Sequence, residues 1–366
     1  MAKEISVLFV PFGTQRIAAT RYRVYQYLPY LREKGVKFCV FSIVSDAATR
    51  RMINSPNFKG IGKFIYYLQI IFEKLTRFGL LLFLARRYKI LYLQRTTFLF
   101  GLEKILSLVN RNIIFDLDDA IFMSDRKDEG IFSRLKEYSK SKEVAGILKV
   151  SRLAIVENEY IRSYARQYCQ DVFLIPGPID TERYTVKYPQ RKDKVIIGWI
   201  GSPSTTVYLK ITDGILQRLT EKFASLEIRL IGAGRYNIDG VRIHNSDWSY
   251  NSEVSDLQGF DIGIMPMPDN EWTRGKLGCK MLQYMAVGVP AVVSFTPTNA
   301  EVIKDAENGF LVRTAEEWVS KLSALITNPE LRRRIGLNGR NTVEEKFSVK
   351  VNAPVLERLL QDYFGE

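Results

Sequence analysis

The sequence predicts an α/β protein built from two doubly wound domains, each a parallel sheet with helices on its faces. Three observations predict it. Short β-branched or aliphatic runs alternate with helical patterns through the first half, a stretch rich in proline and charge at 176–194 interrupts them, and the alternation then restarts. At 366 residues the chain also exceeds what one core usually serves.

In the first half, strands are expected over 5–10, 37–44, 90–94, 113–117, 153–156 and 172–175, each a short apolar run. Helices are expected over 22–33, 98–109 and 160–168, where apolar residues recur at helical spacing. The segment PGPIDTERYTVKYPQRKDK then marks the domain boundary. Beyond it, strands are expected over 195–200, 227–231, 262–265 and 291–295, with helices near 207–223, 276–287, 315–326 and 330–346. The expected domains are 1–182 and 183–348, followed by a C-terminal helix at 349–366 that packs back on the first. Two such sheets facing a central cleft place the chemistry in loops that follow strands.

The segment DIGIMPMPDNEWTRGKLGCKMLQYMAVGVPAVVSF, 261–295, is the most informative of these. A strand, a polar loop and a helix follow one another, and a helix start offers unpaired N–H groups and a positive dipole end. Lys276 and Lys280 fall one turn apart on the expected helix. Cations oppose the dipole there, so either an anion docks between them or both are solvated on an exposed face. Other strand-end loops offer Gly201, Ser202, Ser204 and Thr205 as phosphate donors, and Gly232 with Gly234 as a weaker glycine signal. In the first domain the expected loops carry Gly13 and Thr14, then Arg21 and Arg23 at the next helix start. Asp116, Asp118 and Asp119 end a strand. They serve sugar hydroxyls or acid/base work, or else cap a helix and line a loop.

Composition limits the alternatives. Cys39, Cys169 and Cys279 are widely separated and His244 is the only histidine, so neither a disulfide framework, a zinc site nor a histidine-based triad is indicated. No metal and no cofactor are expected, in a reducing, cytoplasmic setting. The start MAKEISVLFVPFG has too short an apolar run for a signal peptide and reads as a strand. Residues 1–100 hold 17 basic and 4 acidic residues, which is the whole formal net charge of +13. One face of that region should seek anions. Within it, 62–87 is too often interrupted by charge to span a bilayer. Lys59, Lys63, Glu73, Lys74 and Arg77 share about a third of its helical circumference, a pattern given both by a helix lying on a membrane and by one packed on a sheet.

At this point the residues carry a resemblance. PGPID at 176–180 resembles the interdomain PNGVD of family 4 glycosyltransferases, and GWIGSPST their donor-side glycine loop. YMAVGVPAVVS, AEVIKDAENGFLV and LRRRIGLNGRNTVEEKFS resemble the family's later motifs, so the similarity runs from end to end. The resemblance implies the GT-B fold and a metal-independent transfer of sugar from a nucleotide-sugar with retention of configuration. There are departures. The family's paired glutamates are Gly275 and Gln283 here, its glycine-loop arginine is Ser202, and its N-domain histidine aligns with Asp118. The chain resembles a divergent branch in which Lys276 and Lys280 neutralise the diphosphate.

On that reading Asp118, Asp119 and Lys276 carry catalysis, with the aspartates addressing a sugar hydroxyl. Gly201, Ser202, Ser204, Gly232, His244, Lys280, Gln283, Thr298 and Asn299 bind a UDP-, GDP- or dTDP-sugar. Gly13, Thr14, Arg21 and Arg23 face a glycan or lipid-linked acceptor. The basic N-terminal third then implies a peripheral position at the inner face of an anionic membrane, and no nucleic-acid motif accompanies the charge. The competing readings are a nucleotide-sugar epimerase or hydrolase of the same fold, and a non-catalytic anion- or membrane-binding protein.

Overall fold

A computed structural model describes residues 5–54, 60–123, 131–187 and 194–365. The chain divides into two compact units. The first comprises Met1–Pro178, Gly275–Leu277 and Asn352–Glu366, and the second Ile179–Arg274 and Gly278–Val351. The breaks at 178/179 and 351/352 compare with 182/183 and 348/349 expected from sequence.

Unit 1 contains β1 (Ser6–Pro11), β2 (Lys37–Val40), β3 (Ile90–Gln94), β4 (Ile113–Leu117), β5 (Leu153–Val156) and β6 (Val172–Leu174), all parallel in the order β2-β1-β3-β4-β5-β6. Strands β3, β4 and β5 are buried on both faces, which is why they read as unbroken apolar runs. The connections diverge between β1 and β3, so the ligand-binding end of this sheet lies beyond Pro11 and Gln94.

Its α-helices of six residues or more are α1 (Leu28–Glu33), α2 (Asp46–Asn54), α3 (Gly60–Ala85), α4 (Leu102–Val109), α5 (Ile131–Val150) and α6 (Glu159–Ala165). The single helix expected over 22–33 is divided. A wide π turn, Arg21–Tyr25, precedes α1, whose first turn holds Pro29, a residue that cannot donate an N–H to a preceding turn. Helix α4 starts at Leu102 rather than 98, because Phe100 and Gly101 take left-handed backbone with φ of 57° and 74°. Helix α3 turns its charged stripe inward. The Glu73 carboxylate accepts the Ser45 N–H at 2.5 Å, and Arg77 Nε donates to the Ser42 carbonyl at 3.2 Å. Lys59 and the Lys63 side chain lie outside the described residues.

Unit 2 contains β7 (Val195–Ile200), β8 (Leu226–Ile231), β9 (Ile243–Ser246), β10 (Ile262–Met265), β11 (Ala291–Ser294) and β12 (Phe310–Val312), parallel in the order β12-β11-β10-β7-β8-β9. The two edge strands, β9 and β12, were not expected. The switch point lies between β7 and β10. Glycines at 198 and 263 admit the Phe260 and Tyr284 rings, which a Cβ would meet at 2.1 and 2.4 Å. The Tyr284 hydroxyl accepts the Ile200 N–H and donates to the Ile264 carbonyl, each at 3.1 Å, so it ties β7 to β10.

Its α-helices of six residues or more are α7 (Asp213–Lys222), α8 (Glu253–Gln258), α9 (Cys279–Ala286), α10 (Pro297–Val302), α11 (Ala315–Thr327), α12 (Pro329–Thr342) and α13 (Val349–Phe364). Helix α9 starts at Cys279, not 276, with Gly278 at its N-cap in a non-helical conformation. Lys276 therefore precedes the helix and does not share a face with Lys280. From Asn352 onward α13 groups with unit 1. There Tyr30 donates to the Glu357 carboxylate at 2.7 Å, and Tyr363 packs edge-on against Phe173 at 5.5 Å.

Candidate functional site

The switch point of unit 2 is built around an open helix end. No side chain caps α9. Its first-turn residue Lys280 reaches back to the loop after β7, where Nζ lies 3.4 Å from Thr205 Oγ1 and 5.3 Å from the Trp199 ring centroid. Gly201 makes this approach possible, since a Cβ there would lie 2.4 Å from the Trp199 ring and 2.7 Å from Lys280 Cε. The Ser202 and Ser204 hydroxyls pair at 2.9 Å in the same exposed loop. Gly232 packs onto it with φ of 71°, and a Cβ at that position would meet the Gly201 carbonyl oxygen at 2.3 Å. A lysine, hydroxyls and the positive end of a helix thus converge, which is the chemistry of a phosphate site.

Thr298 and Asn299 belong to the frame of that site. Thr298 donates to the Arg274 carbonyl, and Asn299 Nδ2 donates to the Ser294 carbonyl at 2.9 Å. Asn299 Oδ1 is buried without a hydrogen bond and lies 3.3 Å from where a Gly278 Cβ would be. It suits a hydroxyl donor better than a phosphate oxygen, because both are acceptors. Gln283, expected to hold ribose, is buried with Nε2 3.4 Å from the Tyr184 hydroxyl. That hydroxyl donates to Glu253, whose other oxygen accepts the Trp248 indole N–H at 2.6 Å. Glu253 is 1% exposed and escaped the sequence reading, although a carboxylate amid Trp248, Tyr250 and Leu257 was a signal. His244 stands exposed on the edge strand β9.

In unit 1 the strand ends are occupied by ion pairs. Arg23, expected to face an acceptor, is 1% exposed and forks onto Asp116 with contacts of 2.7 and 3.0 Å. Tyr92 donates to the same carboxylate at 2.7 Å, and Arg23 Nη1 to the Ile175 carbonyl at 2.7 Å. Both charges are spent on the core. Arg21 is also mostly buried and clamps the loop after β1 through the Gln15 and Arg16 carbonyls. Thr14 in that loop is tied to α2, its N–H donating to Thr49 Oγ1 at 3.2 Å and its hydroxyl to Asp46 at 3.1 Å. Gly13 leaves space for Ile17.

Asp118 and Asp119 are not free carboxylates. Arg95, absent from the sequence reading, binds both Asp118 oxygens, with Nη2 at 2.9 Å from Oδ2, and approaches Asp119 at 3.2 Å. It does so from a left-handed backbone, φ 49°. Lys276 Nζ lies 3.4 Å from Asp119 Oδ2, so this lysine balances an aspartate instead of standing beside Lys280. Beside them Glu157 packs against the backbone of Gly177, where a Cβ would be 2.3 Å from its carboxylate oxygen. Burial, followed by the charge of Asp118, pushes the Glu157 carboxyl well above the usual range, against the pull of Arg23 and Arg95.

Comparisons with known proteins bear on the fold and on one segment of unit 2. Residues 257–342 match the family described as Glycosyl transferases group 1. Over 207 residues the chain is 23% identical to the capsular polysaccharide biosynthesis glycosyltransferase CapM of Staphylococcus aureus, covering 51% of this chain and 52% of that protein. The chain spans about half the length, or less, of the curated relatives it matches. HepE of Anabaena, solved with UDP and glucose, is similar over 98% of this chain and all of its own, at 13% identity and a TM-score of 0.67. Sucrose-phosphate synthase from Thermosynechococcus elongatus gives 0.72 at 13% identity, with 99% of each chain covered. These likenesses show the fold, two parallel-sheet α/β domains of the GT-B type.

Proposed function

We propose that this chain is a retaining glycosyltransferase that moves a hexose from a nucleoside diphosphate-sugar to a glycan or lipid-linked acceptor in surface polysaccharide synthesis. The observation that carries the reading is the uncapped start of α9 with Lys280 and the Gly201 loop, inside or beside the segment that matches the group 1 family. Unit 2 takes the nucleotide. A diphosphate placed at that helix start meets the dipole, the Lys280 ammonium and the Ser202 and Ser204 hydroxyls, while Gln283 is directed to the ribose and Asn299 Oδ1 to a sugar hydroxyl. Because negative charge grows on the leaving diphosphate as the glycosidic bond breaks, these groups stabilise the transition state more than the ground state.

Unit 1 takes the acceptor. Asp118 and Asp119, held rigid by Arg95 and Lys276, orient its hydroxyl through the lone pairs left on the aspartates. For a retaining transfer the hydroxyl proton passes to a leaving-phosphate oxygen on the same face, so no protein base is needed. Lys280 supplies charge that a metal supplies elsewhere, and we assign the enzyme no metal. It acts in the cytoplasm at the inner face of an anionic membrane. Among the described residues no helix is long and apolar enough to cross one.

The test is product analysis with radiolabelled UDP-, GDP- and dTDP-hexoses and membrane-extracted acceptors, with and without EDTA. Transfer of label that survives chelation is the expected result. Release of free sugar or an epimerised donor from the donor alone, with no transfer, would replace the reading by a hydrolase or epimerase of the same fold.

A further inference from the structure

Helix α3 buries Phe78, Leu81 and Ala85 in the core of unit 1, as an ordinary surface helix does, but it leaves a second apolar arc outside. At about 100° per residue, Glu73, Lys74 and Arg77 fall in one sector, while Phe64, Ile65, Leu68, Phe72, Leu75, Leu80 and Phe83 fill an arc of roughly 160° on the other side. The charged sector lies on the domain side, beside the buried Phe78 and Leu81. Besides the bonds of Glu73 and Arg77, the Arg77 guanidinium lies 4.7 Å from the Phe41 ring centroid, and burial, with Lys140 adding to it, pushes the Lys74 ammonium down to about 8. The apolar arc faces out, with Phe64 63% and Phe72 70% exposed, and it carries no charge between Phe64 and Phe83. Helix α4 packs beside α3 and adds exposed Ile105 and Leu108, while Phe100, 87% exposed, precedes it in left-handed backbone.

At the C-terminal end of α3 the surface changes character. An open depression of about 590 Å³ is lined by Arg32, Lys37 and Arg87 with Leu84 and Tyr88, and no acidic residue borders it. Arg87 joins the two features, since its guanidinium lies 4.3 Å from the ring centroid of the exposed Phe83.

We infer that α3 lies in the plane of a lipid bilayer, its outward arc among the acyl chains, with the phosphates of anionic lipids gathered in the depression formed by Arg32, Lys37 and Arg87. The inference rests on the proposed transfer at an anionic membrane and names the surface that meets it. A 26-residue helix, about 39 Å long, with a wide apolar arc suits an interfacial position. A second copy of the chain is a poorer occupant. A helix seam needs a narrower stripe, and two copies would bring the same cations together.

Flotation with vesicles tests it, with the thermal shift given by UDP, GDP or dTDP as an independent readout of donor binding. The protein is expected to float with equimolar phosphatidylglycerol and phosphatidylcholine. Phe64→Ser with Phe72→Ser should weaken that partitioning at least tenfold. Arg32→Gln, Lys37→Gln and Arg87→Gln together should abolish the preference over pure phosphatidylcholine, and neither set should alter the nucleotide shift. Phe72→Trp should be quenched by brominated lipids. If the wild type binds nucleotide yet stays below both kinds of vesicle, or self-associates through α3 instead of floating, the inference is overturned while the donor reading stands. If it floats but binds no nucleotide, the interface stands and the transferase reading falls. Displacement from vesicles by millimolar glycerol phosphate would assign the depression to a soluble phosphate and overturn its lipid role.

Discussion

The switch points of the two sheets are chemically opposite. In unit 1 the strand-end charges of Arg23 and Asp116, and of Arg95 and Lys276 with Asp118 and Asp119, are matched within the unit, while burial and Asp118 push the neighbouring Glu157 carboxyl up. In unit 2 the equivalent place holds a helix start without a side-chain cap, a lysine beside it and a pair of exposed serines. A self-balanced cluster recognises neutral hydroxyl groups by geometry, whereas a positive notch recognises an anion by charge. On the function proposed above, this difference assigns the nucleotide to unit 2 and the acceptor to unit 1.

The sharpest way to break the comparison is to unbalance unit 1. Arg23→Met leaves the Asp116 carboxylate buried and unpaired, which should lower unfolding stability by about 3–5 kcal/mol. Chemical denaturation measures it, and a loss under about 1 kcal/mol would show that Arg23 is not structural. Next in size is the anion notch. Lys280→Met should weaken nucleoside diphosphate binding at least tenfold, about 1.4 kcal/mol, while Lys276→Met changes it far less because Lys276 is engaged with Asp119. Equal losses in the two variants would return Lys276 to the phosphate site.

The third effect is on turnover. Asp118→Asn should reduce kcat strongly with little change in affinity for free nucleotide, since the Arg95 fork loses its charged partner and the acceptor its orientation. The last concerns α3. The Lys74 ammonium, held down by burial and then by Lys140 against the pull of Glu143, titrates near 8 in the fold and near 10.4 in the unfolded chain. The unfolded state therefore binds more protons between those values, so stability rises with pH across that window. Lys74→Met should stabilise the protein at pH 7 by roughly 1–2 kcal/mol, with the gain fading above pH 10. Thermal melts at the two pH values read it directly.

Much of the architecture was legible because buried parallel strands are continuous apolar runs. The bounds 90–94, 113–117, 153–156, 195–200 and 262–265 are those of β3, β4, β5, β7 and β10. The edge strand β9, Ile-His-Asn-Ser, was not, since a mostly exposed edge has no apolar signature. Within the site, Gly201, Ser202, Ser204 and Lys280 were visible as a glycine loop and a helix start. The start of α9 was expected three residues early, which put Lys276 on the helix, because sequence shows where apolar periodicity begins and not that Gly278 is non-helical. Arg95 and Glu253 were missed for another reason. Their roles depend on partners brought close by sheet register and helix packing, Gln94 opposite Asp116 and Tyr184 beside Gln283, which local pattern does not encode. Helix α3 shows the converse, since its periodicity was clear but not which side faced the core.

The central claim, that unit 2 is a nucleoside diphosphate site centred on Lys280 and the start of α9, is tested most directly by titration calorimetry of UDP, GDP and dTDP with their monophosphates. The account predicts that one diphosphate binds with unit stoichiometry, more tightly than its monophosphate, and that Lys280→Met removes that advantage. Failure of all three diphosphates to bind, or equal binding of mono- and diphosphate unaffected by Lys280→Met, would contradict it.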